Sequence, residues 1–546
     1  MDTPDQDGAK RPDYGSRAPR ALDRDPVPPP KWALAPVNGR VLDPSTALVV
    51  KGVQPRSTVY VGPRLTISRA VDFAETLDIL RDVAEELGWD VTPEEEEPKT
   101  ARLPFGVRRV SLSVGSRQAT LAPDGWTLLQ QARARYGLDR MRGVSLDHVV
   151  MVRPVDPNPF DLSNPFDLSN PFDLSNPFDL SNPFDLSNPS GQGTGQSAAI
   201  ATYARPGSGG RQPIAYVGPP PYRRAADELP GRRPVVAILD TGCAPHPWLD
   251  DVVDTGVTLD GQPIGHTDPA TSPDLRGDLT GPLDGSIDPL SGHGTFIAGL
   301  VHQGCPDADI LAWRAVPSAG PIVESDWMAA LGQIAELVRR DRAGEPGGRA
   351  IDVLSLSMGY YHETPEDHLF DPTLYAILGE LGRLGVVVVC SAGNDATSRP
   401  SFPAAFAPWA DGNGPVLQAT DCVPVVSVGA LNPNRRTDAL FSNAGPWVRS
   451  FVPGAAVMST MPAFQGGLQP VARSMAFGRV REAIDPDDFR SGFAVWSGTS
   501  FAAPLMAGAV AAALLEDLEP PGEPVVVDRA VRRAWDVLER LTSITS

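Results

Sequence analysis

Residues 497–510 read SGTSFAAPLMAGAV, a run of small and apolar residues that follows a serine and a threonine. An uninterrupted run of this kind predicts a helix over residues 499–515 that packs tightly inside a core. Ser500 falls in the first turn of this helix, where backbone N–H groups point outward and the positive end of the helix dipole lies beneath the side chain. Because Ala502 replaces the second glycine of a Gly-x-Ser-x-Gly elbow, an α/β-hydrolase fold is disfavoured.

The sequence before this helix alternates short apolar runs with helical patterns. Short apolar runs predict strands that are buried on both faces, and their alternation with helices predicts an α/β fold with a parallel sheet covered by helices on both sides. In such sheets, functional sites form at the carboxyl ends of the strands. The predicted strands are 235–239, 351–356, 385–390 and 425–428, and the predicted helices are 293–302, 328–339, 372–384 and 499–515.

Three further polar residues lie at the ends of these predicted elements. Asp240 ends the first strand, Asn394 follows the strand 385–390, and His293 lies in Ser-Gly-His-Gly-Thr at the start of a helix. A partly buried carboxylate can orient an imidazole, and a short amide can donate to a developing oxyanion. Taken singly, each has a simpler explanation, since a lone histidine is more often structural and Gly-Asn-Asp is a common turn.

Asp240 also belongs to an Asp-Thr-Gly tripeptide, which is typical of aspartic proteases, and a second copy begins at Asp254. The two carboxylates of such a dyad come from two lobes or from two chains. Two copies this close in sequence do not meet that requirement, so this alternative fails on geometry.

The four segments together resemble the subtilase family of serine peptidases over about residues 234–519. The matching motifs are Asp-Thr-Gly, Gly-His-Gly-Thr, Ser-Ala-Gly-Asn and Gly-Thr-Ser-x-Ala-Ala-Pro, in the family's chain order. The resemblance implies a subtilisin-like serine endopeptidase that needs no cofactor and acts on proteins or peptides. It further implies a catalytic triad of Asp240, His293 and Ser500, with Asn394 completing the oxyanion hole.

The same resemblance places the substrate-pairing strand at Ser357, Met358 and Gly359. The chain departs from the family pattern in an acidic insertion at about residues 261–288 and in a longer segment at 462–495. Two alternatives to a peptidase stay open: a catalytically silent scaffold that uses the phenylalanine-bearing repeats described below, and an esterase or acyltransferase with the same triad.

The N-terminal part shows a β-α-β-β-α-β rhythm that predicts a small ferredoxin-like domain. Since many subtilases carry such a propeptide, the resemblance implies a tethered inhibitor or docking module.

Next comes Asn-Pro-Phe-Asp-Leu-Ser, repeated five times over residues 158–187, which predicts a disordered linker or, as the alternative, a strip that docks partners. The predicted domains are a disordered tail 1–45, the ferredoxin-like domain 46–153, the linker 154–212, the peptidase domain 225–520 and a C-terminal helical tail 521–546.

Composition limits the partners. A formal net charge of −20 without clustered Lys and Arg argues against a nucleic-acid or anionic-membrane surface. The first 30 residues lack the apolar core of a secretory signal and no later run approaches a membrane span, which predicts a cytoplasmic protein. The cysteines lack a Cys-x-x-Cys pair, so we expect free thiols.

Metal sites receive little support from the sequence. His362 and His368 lie in His-Glu-Thr-Pro-Glu-Asp-His, which has the wrong spacing for a zinc protease. Asp250, Asp251 and Asp254 suit the structural calcium that family members often bind, although an acidic surface loop is the favoured interpretation. We therefore predict no metal ligands.

Overall fold

The computed structural model describes residues 25–29, 31–96, 98–116, 121–152, 203, 209–281, 283–364, 373–416 and 418–545. The five hexapeptide repeats lie outside these residues. The described residues form an N-terminal unit (residues 31–152) and a C-terminal unit (residues 209–545), each with its own buried core.

The N-terminal unit is an antiparallel sheet on which two longer helices pack. Its strands are β1 (Gly39–Leu42), β2 (Thr58–Ser68), β3 (Trp89–Pro93), β4 (Val107–Val114) and β5 (Val144–Val150), and its helices are α1 (Lys31–Leu34), α2 (Phe73–Leu87), α3 (Pro98–Ala101) and α4 (Gly125–Tyr136). The strand order is β5-β2-β4-β3, with every neighbouring pair antiparallel. This is the arrangement expected of a ferredoxin-like sandwich.

Residues 31–42 correct the sequence prediction, which placed them in a disordered tail. They form α1 and β1, and β1 pairs antiparallel with β2. Leu34 and Leu42 are buried. The prediction was wrong here because the burial of these residues depends on a partner strand that is remote in sequence.

The C-terminal unit is built on a larger parallel sheet. Its strands are β6 (Gln212–Pro213), β7 (Val235–Asp240), β8 (Val253–Asp254), β9 (Thr258–Leu259), β10 (Gln262–Pro263), β11 (Asp309–Arg314), β12 (Ile322–Val323), β13 (Val353–Leu356), β14 (Val387–Ser391), β15 (Val426–Leu431), β16 (Ser450–Pro453), β17 (Val457–Thr460), β18 (Arg473–Ala476), β19 (Arg479–Glu482) and β20 (Phe493–Trp496). Its helices are α5 (His293–Gly304), α6 (Glu324–Ala343), α7 (Thr373–Arg383), α8 (Thr499–Leu514) and α9 (Val527–Leu541).

Within the described residues, seven strands form the parallel sheet in the order β16-β15-β14-β13-β7-β11-β8. Helices α5, α8 and α9 contribute to one hydrophobic layer against this sheet, and α6 and α7 contribute to the other. The predicted α/β fold, with helices on both faces of a parallel sheet, is therefore confirmed. All four cysteines are free thiols, as predicted.

Helix α8 lies in the centre of its layer and packs closely against α5. A Cβ atom added to Gly508 would lie 2.9 Å from the Cα of Gly304, so glycine at both positions allows the two backbones to approach. Among the described helices, only Thr499–Asp517 is long and apolar enough to cross a membrane, and 72% of its apolar window is buried inside the fold. Such burial is typical of a core helix.

Two domain boundaries also differ from the sequence prediction. β6 pairs with β20, so Gln212, the last residue of the predicted linker, joins a sheet of the C-terminal unit. Helix α9 is not a tail, because Ala534, Val537 and Leu538 are buried in the core. Both segments have few apolar residues in a row, and only their packing partners show that they belong to the fold.

Candidate active site

The carboxyl end of β7 holds Asp240 next to the first residue of α5, His293. The distance from His293 Nδ1 to Asp240 Oδ1 is 2.7 Å, and both side chains are 1% exposed. The backbone N–H of Thr241 also donates to Asp240 Oδ1, at 2.8 Å. A carboxylate in this position fixes the orientation of the imidazole and favours the tautomer whose other nitrogen, Nε2, accepts a proton.

The glycines beside His293 explain why the helix begins here. Gly292 has a φ of +83°, a left-handed conformation that favours glycine. A Cβ atom on Gly294 would lie 2.0 Å from the carbonyl oxygen of Gly242, so only glycine lets α5 approach the loop after β7 this closely. The glycines beside His293 are thus required by the local backbone and its packing, and the start of α5 that they allow positions the imidazole.

Ser500 is in the first turn of α8 and is 4% exposed. Its neighbour Phe501 packs against the ring of His293, with the ring centroids 5.3 Å apart. In this conformation the Ser500 hydroxyl is 3.4 Å from the carbonyl oxygen of Ser357, and no hydrogen bond to His293 is formed among the described residues. Catalytic hydrogen bonds are often long or poorly aligned before substrate binds and shorten in the complex with substrate.

Asn394 lies just beyond β14, and its amide is held in one orientation. Asn394 Oδ1 accepts hydrogen bonds from the backbone N–H of Thr499, at 2.8 Å, and from the Thr499 hydroxyl, at 2.9 Å. Because the oxygen accepts both of these bonds, the donor group of this side chain is its NH₂. Asn394 and Ser500 line the same cavity, so the amide can donate to an oxyanion that forms at Ser500.

Asn443 supports this loop, and sequence reasoning missed it. Its Oδ1 accepts from the backbone N–H groups of Asp395 (3.0 Å) and Thr397 (3.2 Å), and its Nδ2 donates to the carbonyl oxygen of Ala392 at 2.8 Å. These bonds bracket Asn394 on both sides. Asn443 follows Ser442 in the chain, and an asparagine after a serine is no signal on its own.

Asp274 is a second residue that the sequence did not identify. Its Oδ1 accepts from the backbone N–H of Thr295, at 2.8 Å, and from the Thr295 hydroxyl, at 2.5 Å, within the first turn of α5. Burial raises the pKa of Asp274, and hydrogen bonds with Thr241 and Thr295 partly offset this rise. Asp274 therefore supports the helix that carries His293, and it comes from the segment 261–288 where the chain departs from the family pattern.

Ser357, Met358 and Gly359 follow β13 and line a cavity of about 300 Å³ together with Asn394 and Ser500. The cavity is also lined by Met151, from the end of the N-terminal unit. The backbone N–H of Met151 donates to the carbonyl oxygen of Gly359 at 3.0 Å, and the Gly359 N–H donates to the Met151 carbonyl oxygen at 3.1 Å. The strand predicted to pair with substrate is thus paired with this chain's own N-terminal unit.

The remaining candidates lie elsewhere. Asp250 Oδ1 accepts from the backbone N–H of His246, and Asp254 Oδ1 accepts from that of Gly256, which are local turn bonds. The interpretation of these residues as an acidic surface loop stays a prediction. His362 is buried, and His368 lies outside the described residues.

Comparison with known proteins places these residues in a family. The model of the subtilase family matches residues 231–534. The chain is 26% identical over 296 residues to an intracellular serine protease of Paenibacillus polymyxa, covering 52% of this chain and 66% of that protein. It is 27% identical over 328 residues to the serine protease AprX of Bacillus subtilis strain 168, covering 54% of this chain and 61% of that one. The chain thus spans less than two thirds of either relative.

A solved structure, that of fervidolysin from Fervidobacterium pennivorans, a keratinolytic enzyme related to subtilisin, is 17% identical. The match has a TM-score of 0.42 and covers 86% of this chain and 56% of that one.

Proposed function

The chain belongs to the subtilase family, and from this premise we propose that it is a serine endopeptidase that hydrolyses peptide bonds through Asp240, His293 and Ser500. The observation that carries the proposal is the buried 2.7 Å contact between His293 Nδ1 and Asp240 Oδ1. The ring of His293 also packs against that of Phe501, which follows Ser500 in the first turn of α8. A base, its orienting carboxylate and a nucleophile are the groups that this proposed reaction requires.

In the proposed reaction, the oxygen of Ser500 attacks the carbonyl carbon of the substrate while His293 Nε2 accepts the hydroxyl proton. The tetrahedral oxyanion receives hydrogen bonds from the Asn394 amide and from the Ser500 backbone N–H. Collapse of this intermediate breaks the C–N bond, and His293 returns the proton to the leaving amine. Water then cleaves the acyl ester by the same steps, with His293 again as base and then as acid.

An extended peptide fits the proposal because Gly359 already accepts and donates backbone hydrogen bonds in the manner of a strand edge. Strand addition holds the substrate backbone regardless of sequence, and pockets between the strands select side chains. The substrate class is therefore protein or peptide.

The test uses an active-site fluorophosphonate probe together with peptide hydrolysis. We expect the probe to label Ser500, and Ser500→Ala to lose both labelling and hydrolysis without loss of folding, because no core volume is removed. Ser491→Ala, which removes an exposed serine hydroxyl in the same part of the chain, is the matched control. Hydrolysis that persists in Ser500→Ala would refute the assignment.

We also propose that the N-terminal unit restrains the peptidase by occupying the substrate strand. Support comes from the paired backbone bonds of Met151 with Gly359, and from β12, which pairs antiparallel with β5 and so extends the N-terminal sheet into the C-terminal unit. Asp147 adds to this contact, since it accepts from the backbone N–H of Ser325 at 3.0 Å and from the Ser325 hydroxyl at 2.8 Å. A peptide substrate must displace Met151 before it can pair with Gly359.

Two variants of the full chain test this restraint. Met151→Pro removes the N–H that donates to Gly359 and is expected to raise the rate of peptide hydrolysis, whereas Met151→Ala keeps both backbone bonds and serves as the control. Equal rates in the two variants would contradict the proposal.

A cytoplasmic location is a further proposal, supported by the name of the Paenibacillus relative.

A further inference from the structure

The contact between the two units contains a group of buried ionisable side chains that the proposed reaction does not use. His148 comes from β5 of the N-terminal unit, Glu324 is the first residue of α6, and His362 and Glu363 follow β13. All four are buried, with exposures of 1%, 5%, 3% and 1% in that order. The group therefore joins the two units at a place that water does not reach freely.

The distances within the group are short. His148 Nδ1 lies 2.7 Å from Glu324 Oε2, and His148 Nε2 lies 2.7 Å from Glu363 Oε2. His362 Nδ1 lies 3.6 Å from the same oxygen of Glu363 and accepts from the backbone N–H of Thr364 at 3.0 Å. The two imidazole rings have centroids 4.9 Å apart. One ligand atom from each of His148, His362 and Glu363 lies within 4.8 Å of the others.

Two imidazoles and one carboxylate are a donor set that suits zinc and related divalent ions. Histidine that binds a metal almost always donates its other ring N–H to a carboxylate, which fixes the tautomer. Glu324 is such a carboxylate for His148, because its Oε2 accepts the hydrogen bond from His148 Nδ1. The other ring nitrogen, Nε2, then faces Glu363. In addition, Glu363 Oε1 is buried and has no hydrogen-bond partner among the described residues.

We propose that His148, His362 and Glu363 bind one divalent transition-metal ion of the zinc class, with Glu324 orienting His148. The ion takes the place of the proton between His148 Nε2 and Glu363 Oε2. Because one ligand belongs to the N-terminal unit and two belong to the C-terminal unit, the metal fastens the units together. The proposal does not depend on peptidase activity.

The test uses the full chain carrying Ser500→Ala, without an affinity tag, so that self-cleavage cannot interfere. After treatment with a chelator, the protein is titrated with Zn²⁺ and with Co²⁺, and binding is followed by calorimetry and by the visible absorption of bound Co²⁺. We expect one ion per chain and a Co²⁺ spectrum of low coordination number. Removal of the metal is expected to lower the melting temperature.

Further variants in the same background identify the ligands. His148→Ala and Glu363→Gln are expected to abolish binding, and Glu363→Gln decides the question if His148→Ala does not fold, because it keeps size and shape. Glu324→Gln is expected to weaken binding by about 10- to 100-fold, as is usual for an outer carboxylate. His302→Ala removes another buried histidine, within α5, and should leave binding unchanged.

Two results would overturn the proposal. The first is the absence of stoichiometric Zn²⁺ and Co²⁺ binding by the parent protein, in which case His148 holds a proton between two carboxylates and the group is an ion network only. The second is equal binding by the parent, His148→Ala and Glu363→Gln, which would place the metal elsewhere.

Discussion

Two buried histidines in this chain have different surroundings. His293 Nδ1 contacts a single carboxylate, Asp240, at 2.7 Å, and among the described residues no side chain is hydrogen-bonded to its Nε2. His148 contacts Glu324 through Nδ1 at the same distance, and a second carboxylate, Glu363, contacts its Nε2, also at 2.7 Å. The first carboxylate has the same role in both groups, namely to orient the ring.

The difference lies in the second ring nitrogen. An imidazole with one carboxylate can still accept a proton at Nε2, which is what general-base catalysis requires. An imidazole whose two nitrogens both contact carboxylates has no nitrogen left to act as a base, and His148 instead joins β5 to the segments that supply those carboxylates. The comparison therefore predicts that substitutions at the two histidines act in opposite directions on peptide hydrolysis.

The largest expected effect is at His293. We expect His293→Ala to lower kcat by about 10⁶-fold, a magnitude taken from the corresponding change in subtilisin. The reason is that Ser500 then has no base. Steady-state hydrolysis of a peptide substrate measures the loss, and combination with Ser500→Ala should add little, because the two residues act as a unit. A loss of less than tenfold in kcat would contradict the proposal that His293 is the general base.

The orienting carboxylates give a second test. Asp240→Asn is expected to lower kcat by roughly 10⁴-fold, as for the equivalent change in chymotrypsin-like enzymes, because the amide favours the wrong imidazole tautomer. Glu324→Gln changes the matching carboxylate beside His148 and is expected to leave kcat no lower than in the parent chain. Similar losses in the two variants would show that both carboxylates serve catalysis.

Asn394→Ala is expected to lower kcat by roughly 10² to 10³ with little change in KM, because the amide donates mainly in the transition state. The change tests whether the active-site group extends beyond the triad. Separate determination of kcat and KM provides the measurement. A change confined to KM would instead make Asn394 a substrate-binding residue.

Among these substitutions, the smallest effect and the one gain in rate are expected at His148. His148→Ala removes one partner from buried charges that join the units, so the N-terminal unit should dissociate from the cleft more often and peptide hydrolysis should become faster. Initial rates of the full chain give the result, and His302→Ala is the control for loss of a buried histidine. A slower rate of hydrolysis with an intact fold would contradict the prediction that substitutions at His293 and His148 act in opposite directions.

The sequence alone predicted the candidate active-site residues because their proposed chemistry is tied to local backbone requirements. Gly292 and Gly294 are needed for α5 to start against the loop after β7, and the small residues of α8 are needed for its packing. Such requirements leave motifs of adjacent residues. The strands before Asp240 and Asn394 were likewise visible as apolar runs, so the parallel sheet and the strand ends could be predicted together.

Only the tertiary structure showed which residues join the two units and which residue supports the loop around Asn394. His148 is a single histidine in a strand, Glu324 begins a helix far along the chain, and Asn443 follows a serine without a motif. Their importance comes from contacts between residues remote in sequence, namely with Glu363 and with the loop around Asn394. A motif is visible in the local sequence because its residues meet a backbone requirement at that place. A contact between distant segments depends on the energy of the whole fold, so it leaves no pattern around either residue.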